Sequence, residues 1–371
     1  MTNTATPPPL ILRGDGFTRG EQQASSCPQQ VQAVRLAVDK RLAALGPSLH
    51  SPTVTELLAA QWQFAAHNDT PGLAETQGIA AGFGLSAETL FAYLHANIIT
   101  DMAAGLPQNP PGKEGCTSWA ARRRTANGAW VVKNRDYRGE HGALQRVMFH
   151  ADPQWGRRGM LCVGSLGSPG AFSSGINSDG LAVVDTQIDT RDHGVGWLRY
   201  FLMSHLLRSC SSVAEALARI AAVPHAGGGS LVLGDASGAV ASVELGHTAQ
   251  AIESPGSDWT ARTNHFTQAG TVSGSMSRGG DTALRCSQDR LARVGAALRQ
   301  QHGDIDLATI QSLMAGHDHA GKSGPCRHPD GDGSRTLSSA IYQTRIPSLV
   351  MSDGAPCLGR WHTYAVSDAF G

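Results

Sequence analysis

The five residues Glu114-Gly115-Cys116-Thr117-Ser118, "EGCTS", decide how this sequence is interpreted. The segment before them, "GLPQNPPGK" (105–113), is rich in prolines and glycines, which stop a helix from continuing. The segment after them, "NGAWVVKNRDY" (127–137), is typical of a β-strand. A cysteine at such a boundary is an ordinary loop thiol, a metal ligand, or a nucleophile that becomes useful once the chain is cut in front of it.

The residue patterns on the two sides of this boundary differ. Upstream segments place apolar residues three and four positions apart, which predicts helices; these are "QQVQAVRLAVDKRLAALG" (29–46), "SPTVTELLAAQWQFAAHN" (51–68) and "SAETLFAYLHANIITDMAAG" (86–105). Downstream, short apolar runs between turn residues predict strands, and two helical stretches (196–223 and 281–302) lie between them. The first helical stretch is predicted to break near residues 209–212. The order of elements predicts an α+β fold built on layered sheets.

Composition excludes several classes of protein. The 371 residues contain 30 lysines plus arginines and 30 aspartates plus glutamates, with no charged block long enough to predict a nucleic-acid partner or an anionic membrane surface. The sequence also lacks an apolar run of about 18 residues and a signal-peptide pattern at its start, so we expect a soluble, cytoplasmic protein without a membrane partner. Its seven cysteines are scattered and include no CxxC pair, which argues against a disulfide framework or a zinc ribbon.

Cleavage of the Gly115–Cys116 bond would give Cys116 a free α-amino group. The pKa of such a group is about 7.7 to 8, so the amine can take the thiol proton near neutral pH and no distant histidine is required. The thiol can make the cut itself by attacking the Gly115 carbonyl, since the acyl group then moves from nitrogen to sulfur and water releases it. Gly115 has no Cβ, which leaves that carbonyl open to attack.

The region around Cys116 resembles the processing site of the acyl-coenzyme A:6-aminopenicillanate acyltransferase-like family (peptidase family C45) of N-terminal nucleophile hydrolases. Further segments resemble other parts of this family in the same order: "GFTRGEQQ" (16–23), "ETQGIAAGFGLSAETLFAYLHANI" (75–98), "GINSDGLAVV" (175–184), "RTNHF" (262–266), "ALRCSQDRL" (283–291), "PCRHPDGDGSRTLSSAIYQ" (325–343) and "GAPCLGRWHTY" (354–364). The resemblance covers most of the chain.

The resemblance implies a four-layer αββα sandwich assembled from two pieces, residues 1–115 and 116–371, which stay associated after self-cleavage. It implies a cysteine amidohydrolase that forms an acyl-thioester with a small-molecule N-acyl substrate and needs no metal or organic cofactor. An acyltransferase that passes the acyl group to an amine is the first alternative, and association into a homo-oligomer is compatible with either activity.

The resemblance also implies roles for particular residues. Cys116 is the nucleophile and base, Asp136 a carboxylate near the new amino terminus, Asn264 an oxyanion-hole donor and Arg335 an arginine near the site. Thr117, Asn134 and Arg290 are candidate binding residues. Taken by themselves, Asp136 and Asn264 could be turn residues, Arg335 a surface ion-pair partner and Arg290 an exposed helical arginine.

A second alternative is an uncut metal- or ligand-binding protein with an inert Cys116. The tract "GHDHAGKSGPCRHPDGDG" (316–333) contains His317, His319, Cys326 and His328, whose side chains suit zinc. Their spacing matches no closed zinc motif, so the sequence predicts no metal site there.

Overall fold

The computed structural model describes residues 7–103, 115–123, 126–253, 258–301, 305–328 and 334–367. The predicted linker 105–113 and Glu114 lie outside these ranges. The helices are α1 (Gly16–Ser26), α2 (Val31–Ala43), α3 (Pro52–Asn68), α4 (Thr70–Phe83), α5 (Ala87–Leu94), α6 (Ala96–Met102), α7 (Arg199–Ser209), α8 (Val213–Ala221), α9 (Ala269–Val272), α10 (Gly280–Gln300) and α11 (Leu307–Met314). The strands are β1 (Leu10–Arg13), β2 (Thr117–Arg122), β3 (Ala129–Arg138), β4 (Gln145–Ala151), β5 (Gly159–Ser165), β6 (Ser174–Asn177), β7 (Ala182–Gln187), β8 (Gly229–Gly234), β9 (Val240–Leu245), β10 (Gln250–Glu253), β11 (Trp259–Arg262), β12 (Ser334–Gln343), β13 (Ser348–Ser352) and β14 (Trp361–Ala365).

Most of the predicted helices are confirmed, and their ends have recognisable causes. Ser51 and Ser86 cap α3 and α5, because their hydroxyls accept hydrogen bonds from the backbone amides of Val54 and Thr89. The third predicted helix is divided into α5 and α6 at His95. The break predicted near 209–212 separates α7 from α8, which starts after the capping residue Ser212.

The strands of the described residues form two sheets. An eight-stranded sheet has the order β1-β4-β5-β6-β7-β8-β9-β10, and a six-stranded sheet has the order β11-β2-β3-β12-β13-β14. Neighbouring strands are antiparallel except for β1 and β4, which run parallel. Strand β1 is an addition to the first third, which was predicted to be mainly helical, and it ties the start of the chain to a strand that lies after Cys116.

Three apolar clusters show how these elements are layered. The first packs α2–α5, α7 and α8 on one face of the eight-stranded sheet, and the second lies between the two sheets. The third joins the outer face of the six-stranded sheet to α10 and α11. Alternation within a strand makes this possible, since Val131 of β3 faces the second cluster and Val132 faces the third. The predicted αββα sandwich is confirmed.

No helix among the described residues combines the length and the apolar character that crossing a bilayer requires.

Candidate active site

Cys116 lies immediately before β2, at the end of the six-stranded sheet. Strand β2 pairs with β3 in a register that sets Thr117 opposite Asn134. This pairing brings the half-buried thiol to the end of β3, where its Sγ donates to the backbone carbonyl of Asp136 at 3.7 Å. Two residues that are 20 positions apart in the chain therefore meet through strand pairing.

Gly115 is packed against two arginines. A Cβ added to this residue would lie 2.6 Å from the guanidinium of Arg327 and 3.1 Å from that of Arg290. The first distance would require the flexible end of Arg327 to shift, and the second would require Arg290 to give way by a few tenths of an ångström. The glycine before the cysteine therefore allows both guanidinium groups to pack closely against it, in addition to leaving its carbonyl exposed as the sequence suggests.

The thiol of Cys116 is not activated by its surroundings in the uncut chain. Burial raises the pKa of this thiol, and the nearby carboxylates of Asp136 and Asp185 raise it further, while the Lys133 ammonium opposes them. The thiol is consequently protonated at neutral pH. A nucleophile in this position needs a base, and a free α-amino group on the same residue would be one.

Arg290 connects the cysteine to Asn264. It is only 1% exposed on α10, so the alternative of an exposed helical arginine is wrong. Its Nη1 donates to the carbonyl of Cys116 and, at 2.9 Å, to Oγ1 of Thr117. Its Nη2 donates to Oδ1 of Asn264 at 2.9 Å. One guanidinium thus holds three of the predicted site residues together.

The amide of Asn264 has a fixed orientation. Its oxygen accepts from Arg290, and its Nδ2 donates to the backbone carbonyl of Gln187 at 2.8 Å. Only one orientation of the amide satisfies both contacts, because a carbonyl cannot donate and a guanidinium cannot accept. Among the described residues Nδ2 donates to no second acceptor, so its other N–H is available to a ligand.

Asp136 is a buried carboxylate with one unfilled oxygen. Its Oδ1 accepts from Oγ1 of Thr336 at 2.6 Å. Its Oδ2 lies 3.8 Å from Nη1 of Arg327 and accepts no hydrogen bond from the described residues. Burial raises the pKa of this carboxyl to about 6, although Arg327, Arg290 and the Thr336 hydroxyl act in the opposite direction.

Although Asn134 is paired with Thr117 along the strands, the side chains of Asn134 and Arg335 form their hydrogen bonds among the described residues with backbone groups outside this cluster. Both donor hydrogens of the Asn134 amide are used by backbone carbonyls, that of Met314 at 2.8 Å and that of Pro325 at 3.0 Å, so its side chain anchors a loop. Arg335 is exposed and donates to the carbonyl of Gly139 at 3.4 Å. Neither residue lines the cavity described next, so a binding role for Asn134 and a catalytic role for Arg335 stay predictions.

A cavity of about 410 Å³ opens beside Asn264 and Arg290. Its apolar lining includes Ile188, Phe266, Val272, Met276 and Leu284. Its charged lining consists of five arginines and one aspartate among the described residues: Arg41, Arg138, Arg278, Arg290, Arg327 and Asp189. The aspartate is paired with Arg278 at 2.6 Å, so the cavity combines apolar surface with a net positive charge.

Sequence reasoning missed a buried charged group that links β3, β7 and α7. Asp185 of β7 forms ion pairs with Lys133 of β3 and with Nε of Arg199, the latter at 2.5 Å. Burial would raise the pKa of Asp185, but the two cations hold it below its usual value. The signal was available, since a lysine interrupts "WVVKN" and an aspartate interrupts "AVVDTQ", and charges inside buried strands need partners.

The histidine-rich tract has a definite arrangement as well. His317, Cys326 and His328 lie together with Cys357, which precedes β14, whereas His319 is not part of this group. The grouping that the sequence indicated is therefore partly correct, and its fourth member comes from another connection.

The profile of the family described as acyl-coenzyme A:6-aminopenicillanic acid acyl-transferase matches residues 123–352, well over half of the chain. The chain belongs to this family. The match begins downstream of Cys116, so the assignment of the nucleophile depends on the site geometry. None of the curated proteins matches the sequence.

Two solved structures illustrate what the chain is similar to. A mutant of conjugated bile acid hydrolase from Clostridium perfringens aligns with 12% identity and a TM-score of 0.45, covering 68% of this chain and 93% of that one. Penicillin V acylase from Agrobacterium tumefaciens aligns with 15% identity and a TM-score of 0.41, covering 64% and 82%. The fold assignment itself follows from the layers described above and from the family match.

Proposed function

We propose that this protein is a self-processing cysteine amidohydrolase of the N-terminal nucleophile type. The observation that carries the proposal is the guanidinium of Arg290, which contacts the Cys116 carbonyl, the Thr117 hydroxyl and the Asn264 amide at the edge of a cavity. This arrangement holds the nucleophile, Cys116, near an oriented neutral hydrogen-bond donor, the amide of Asn264. Such a pair is what acyl transfer requires.

Processing begins when the Cys116 thiol attacks the Gly115 carbonyl. The C–N bond breaks, the thiol proton passes to the departing nitrogen, and a thioester joins Gly115 to Sγ. Water then cleaves the thioester, leaving a carboxylate on Gly115 and a free amine on Cys116. The unfilled Oδ2 of Asp136 supports the proposal, because a buried carboxylate oxygen without a hydrogen bond can accept one from the new ammonium.

In each turnover the α-amine of Cys116 takes the thiol proton, and the thiolate attacks the carbonyl of an N-acyl amide. The oxyanion that develops accepts from the second N–H of Asn264. The ammonium returns its proton to the leaving amine, and water resolves the acyl-thioester. Such a donor aimed at developing charge lowers the barrier by about 3 to 4 kcal/mol.

The cavity indicates the substrate class. Its apolar residues suit a hydrophobic part of the substrate, and its arginines suit an anionic group such as a carboxylate. Arg290 adds to the positive charge because its contacts with Cys116, Thr117 and Asn264 are all with neutral groups. We therefore propose an N-acyl amide that carries both features.

Acyl transfer to an amine is the second candidate, and the family match favours it. The same acyl-thioester serves both reactions, so the acceptor decides between them. Release of amine from a panel of N-acyl amides, with and without a terminal carboxylate, should be measured in the presence and absence of an added acceptor amine. A new amide product would establish transfer.

Replacing Cys116 by Ala tests the proposal directly. The wild-type chain should appear as two fragments on denaturing electrophoresis, and amino-terminal sequencing of the larger one should start at Cys116. The Ala variant should remain uncut and inactive. A wild-type chain that stays intact after long incubation, or an Ala variant that still turns over substrate, would exclude the mechanism.

A further inference from the structure

We propose that His317, Cys326, His328 and Cys357 form a closed zinc site on the outer side of the six-stranded sheet. His317 follows α11, Cys326 and His328 lie in the loop that leads to β12, and Cys357 lies in a short 3-10 turn, Pro356–Leu358, between β13 and β14. The four ligating atoms are all within 4.8 Å of one another. Three separate segments thus converge on one point.

The distances fit tetrahedral coordination. With Zn–N bonds of about 2.0 to 2.1 Å and Zn–S bonds of about 2.3 Å, two nitrogens lie about 3.3 Å apart and a nitrogen and a sulfur about 3.6 Å apart. In the structure, Nε2 of His317 and His328 are separated by 3.2 Å. Nε2 of His328 lies 3.4 Å from Sγ of Cys357 and 3.9 Å from Sγ of Cys326. The three distances from His328 are thus close to the edges expected for ligands of one tetrahedral zinc ion, and the remaining pairs lie within 4.8 Å.

Hydrogen bonding among the four side chains does not account for this convergence. The Nε2 atom of His328 faces three other ligand atoms, but a ring nitrogen has either one proton or one lone pair. A disulfide between Cys326 and Cys357 would leave the two imidazoles without a reason to face each other. A cation that accepts an electron pair from every member satisfies all four at once.

The backbone is shaped to bring the ligands together. The amide of Cys326 donates to the carbonyl of Gly316 at 3.0 Å, which sets His317 beside Cys326. A Cβ on Gly324 would lie 2.4 Å from the Gly316 and His317 carbonyl groups, so the two segments approach more closely than another residue would permit. The fold therefore maintains the site independently of the side chains.

Two thiolates and two imidazoles fill a tetrahedral shell, so the site has no open position and is structural. Its effect reaches the candidate active site through the loop. Arg327 lies between the ligands Cys326 and His328, and its guanidinium packs against Gly115 and lies 3.8 Å from Asp136. Pro325, just before Cys326, accepts from Asn134 of β3. Zinc would hold this loop against the end of β3.

The amount of zinc bound per chain tests the proposal. The full-length chain, with any affinity tag removed, should contain about one zinc ion per chain after reconstitution with zinc sulfate and gel filtration. Cys357→Ser and His317→Ala should each reduce the retained zinc at least about tenfold. His319→Ala is the matched control, because it removes a neighbouring exposed histidine that is not in the cluster, and it should retain zinc.

Two further measurements test the coordination geometry of the site and its contribution to stability. Cobalt(II) substituted for zinc should show a thiolate-to-metal absorption band and the strong visible bands of a tetrahedral complex. A chelator should lower the Tm of the wild-type protein and leave that of Cys357→Ser unchanged. The proposal is overturned if wild-type protein takes up no zinc, if all three variants retain it equally, or if a Cys326–Cys357 disulfide is mapped in protein purified under reducing conditions.

Discussion

At the scale of single residues, the site depends on how side chains are held. Arg290 and Arg335 look alike in the sequence, since both are arginines within segments that resemble the family. The structure buries Arg290 among Cys116, Thr117 and Asn264 and leaves Arg335 exposed on the carbonyl of Gly139. Burial and contacts separate the two residues, and neither property can be obtained from local sequence.

Asn264 provides the sharpest test of the oxyanion site. Replacing it by Ala removes the donor, and kcat should fall by about a hundredfold to a thousandfold with the fold intact. Asn264→Asp is the matched control, since it keeps an acceptor for Arg290 but lacks the N–H and should lose as much activity. Steady-state kinetics on the best substrate give both values. Near-normal turnover by the Asp variant would remove Asn264 from the oxyanion site.

Protonation of Asp136 should slow self-cleavage at acidic pH, so that the pH profile of the cleavage rate has an acidic limb. Its carboxyl, with a pKa of about 6, is charged above that pH and neutral below it. The charged form attracts the Arg327 guanidinium that packs against Gly115, so we expect cleavage to slow as the pH falls and to reach half its plateau near pH 6. Electrophoresis of freshly purified precursor at a series of pH values measures this limb.

Two variants assign the acidic limb to Asp136. Asp136→Asn should cleave slowly and without the limb. Thr336→Val removes a hydrogen bond that lowers the pKa of Asp136, so its limb should move to higher pH. If the Asn variant keeps the same limb, another group is responsible for it.

At the scale of elements, glycines of helices α1 and α4 allow these helices to pack closely. Helices α1 and α4 cross so closely that a Cβ on Gly20 would lie 2.4 Å from the carbonyl oxygen of Glu75, and one on Gly78 would lie 2.0 Å from that of Phe17. These obstacles are backbone atoms, which cannot move aside as a flexible side chain could. The glycines allow the helices to touch.

Gly78→Ala should therefore destabilise the protein. The added methyl group must push α1 and α4 apart, at a cost of about 2 to 3 kcal/mol in the free energy of unfolding. Gly270→Ala is the matched control, since a Cβ at this helical glycine meets nothing within 4 Å. Urea unfolding of both variants gives the comparison. Equal stability of the two would mean that the helices are not closely packed in solution.

Elements whose sequence pattern lies within one segment were predicted, whereas those defined by contacts with distant segments were not. Helices α2 and α3 and strand β3 carry their apolar periodicity within one segment, so they were found. Strand β1 is only four residues long and is defined by pairing with β4, more than 130 residues later, so nothing local marks it. Cys357 was missed for the same reason, because it reaches His317, Cys326 and His328 through the turn between β13 and β14.

At the scale of the whole molecule, the proposed cut between Gly115 and Cys116 would divide the chain without dividing the fold. Strand β1 belongs to the eight-stranded sheet, whose other strands all follow the cut. Helices α2–α5 share one apolar cluster with that sheet. Buried ion pairs also cross the boundary, since Arg19 contacts Asp152 at 2.8 Å and Asp69 contacts Arg208 at 2.6 Å.

We therefore expect fragments 1–115 and 116–371 to remain together after cleavage. With a tag on the larger fragment alone, both should be recovered in equal amounts on native purification and in one gel-filtration peak at the position of uncut Cys116→Ala. Because unfolding then separates two chains, the urea midpoint of the cut protein should rise with protein concentration, whereas that of the uncut variant should not. Loss of the smaller fragment under native conditions would show that the shared core and ion pairs do not hold the halves together.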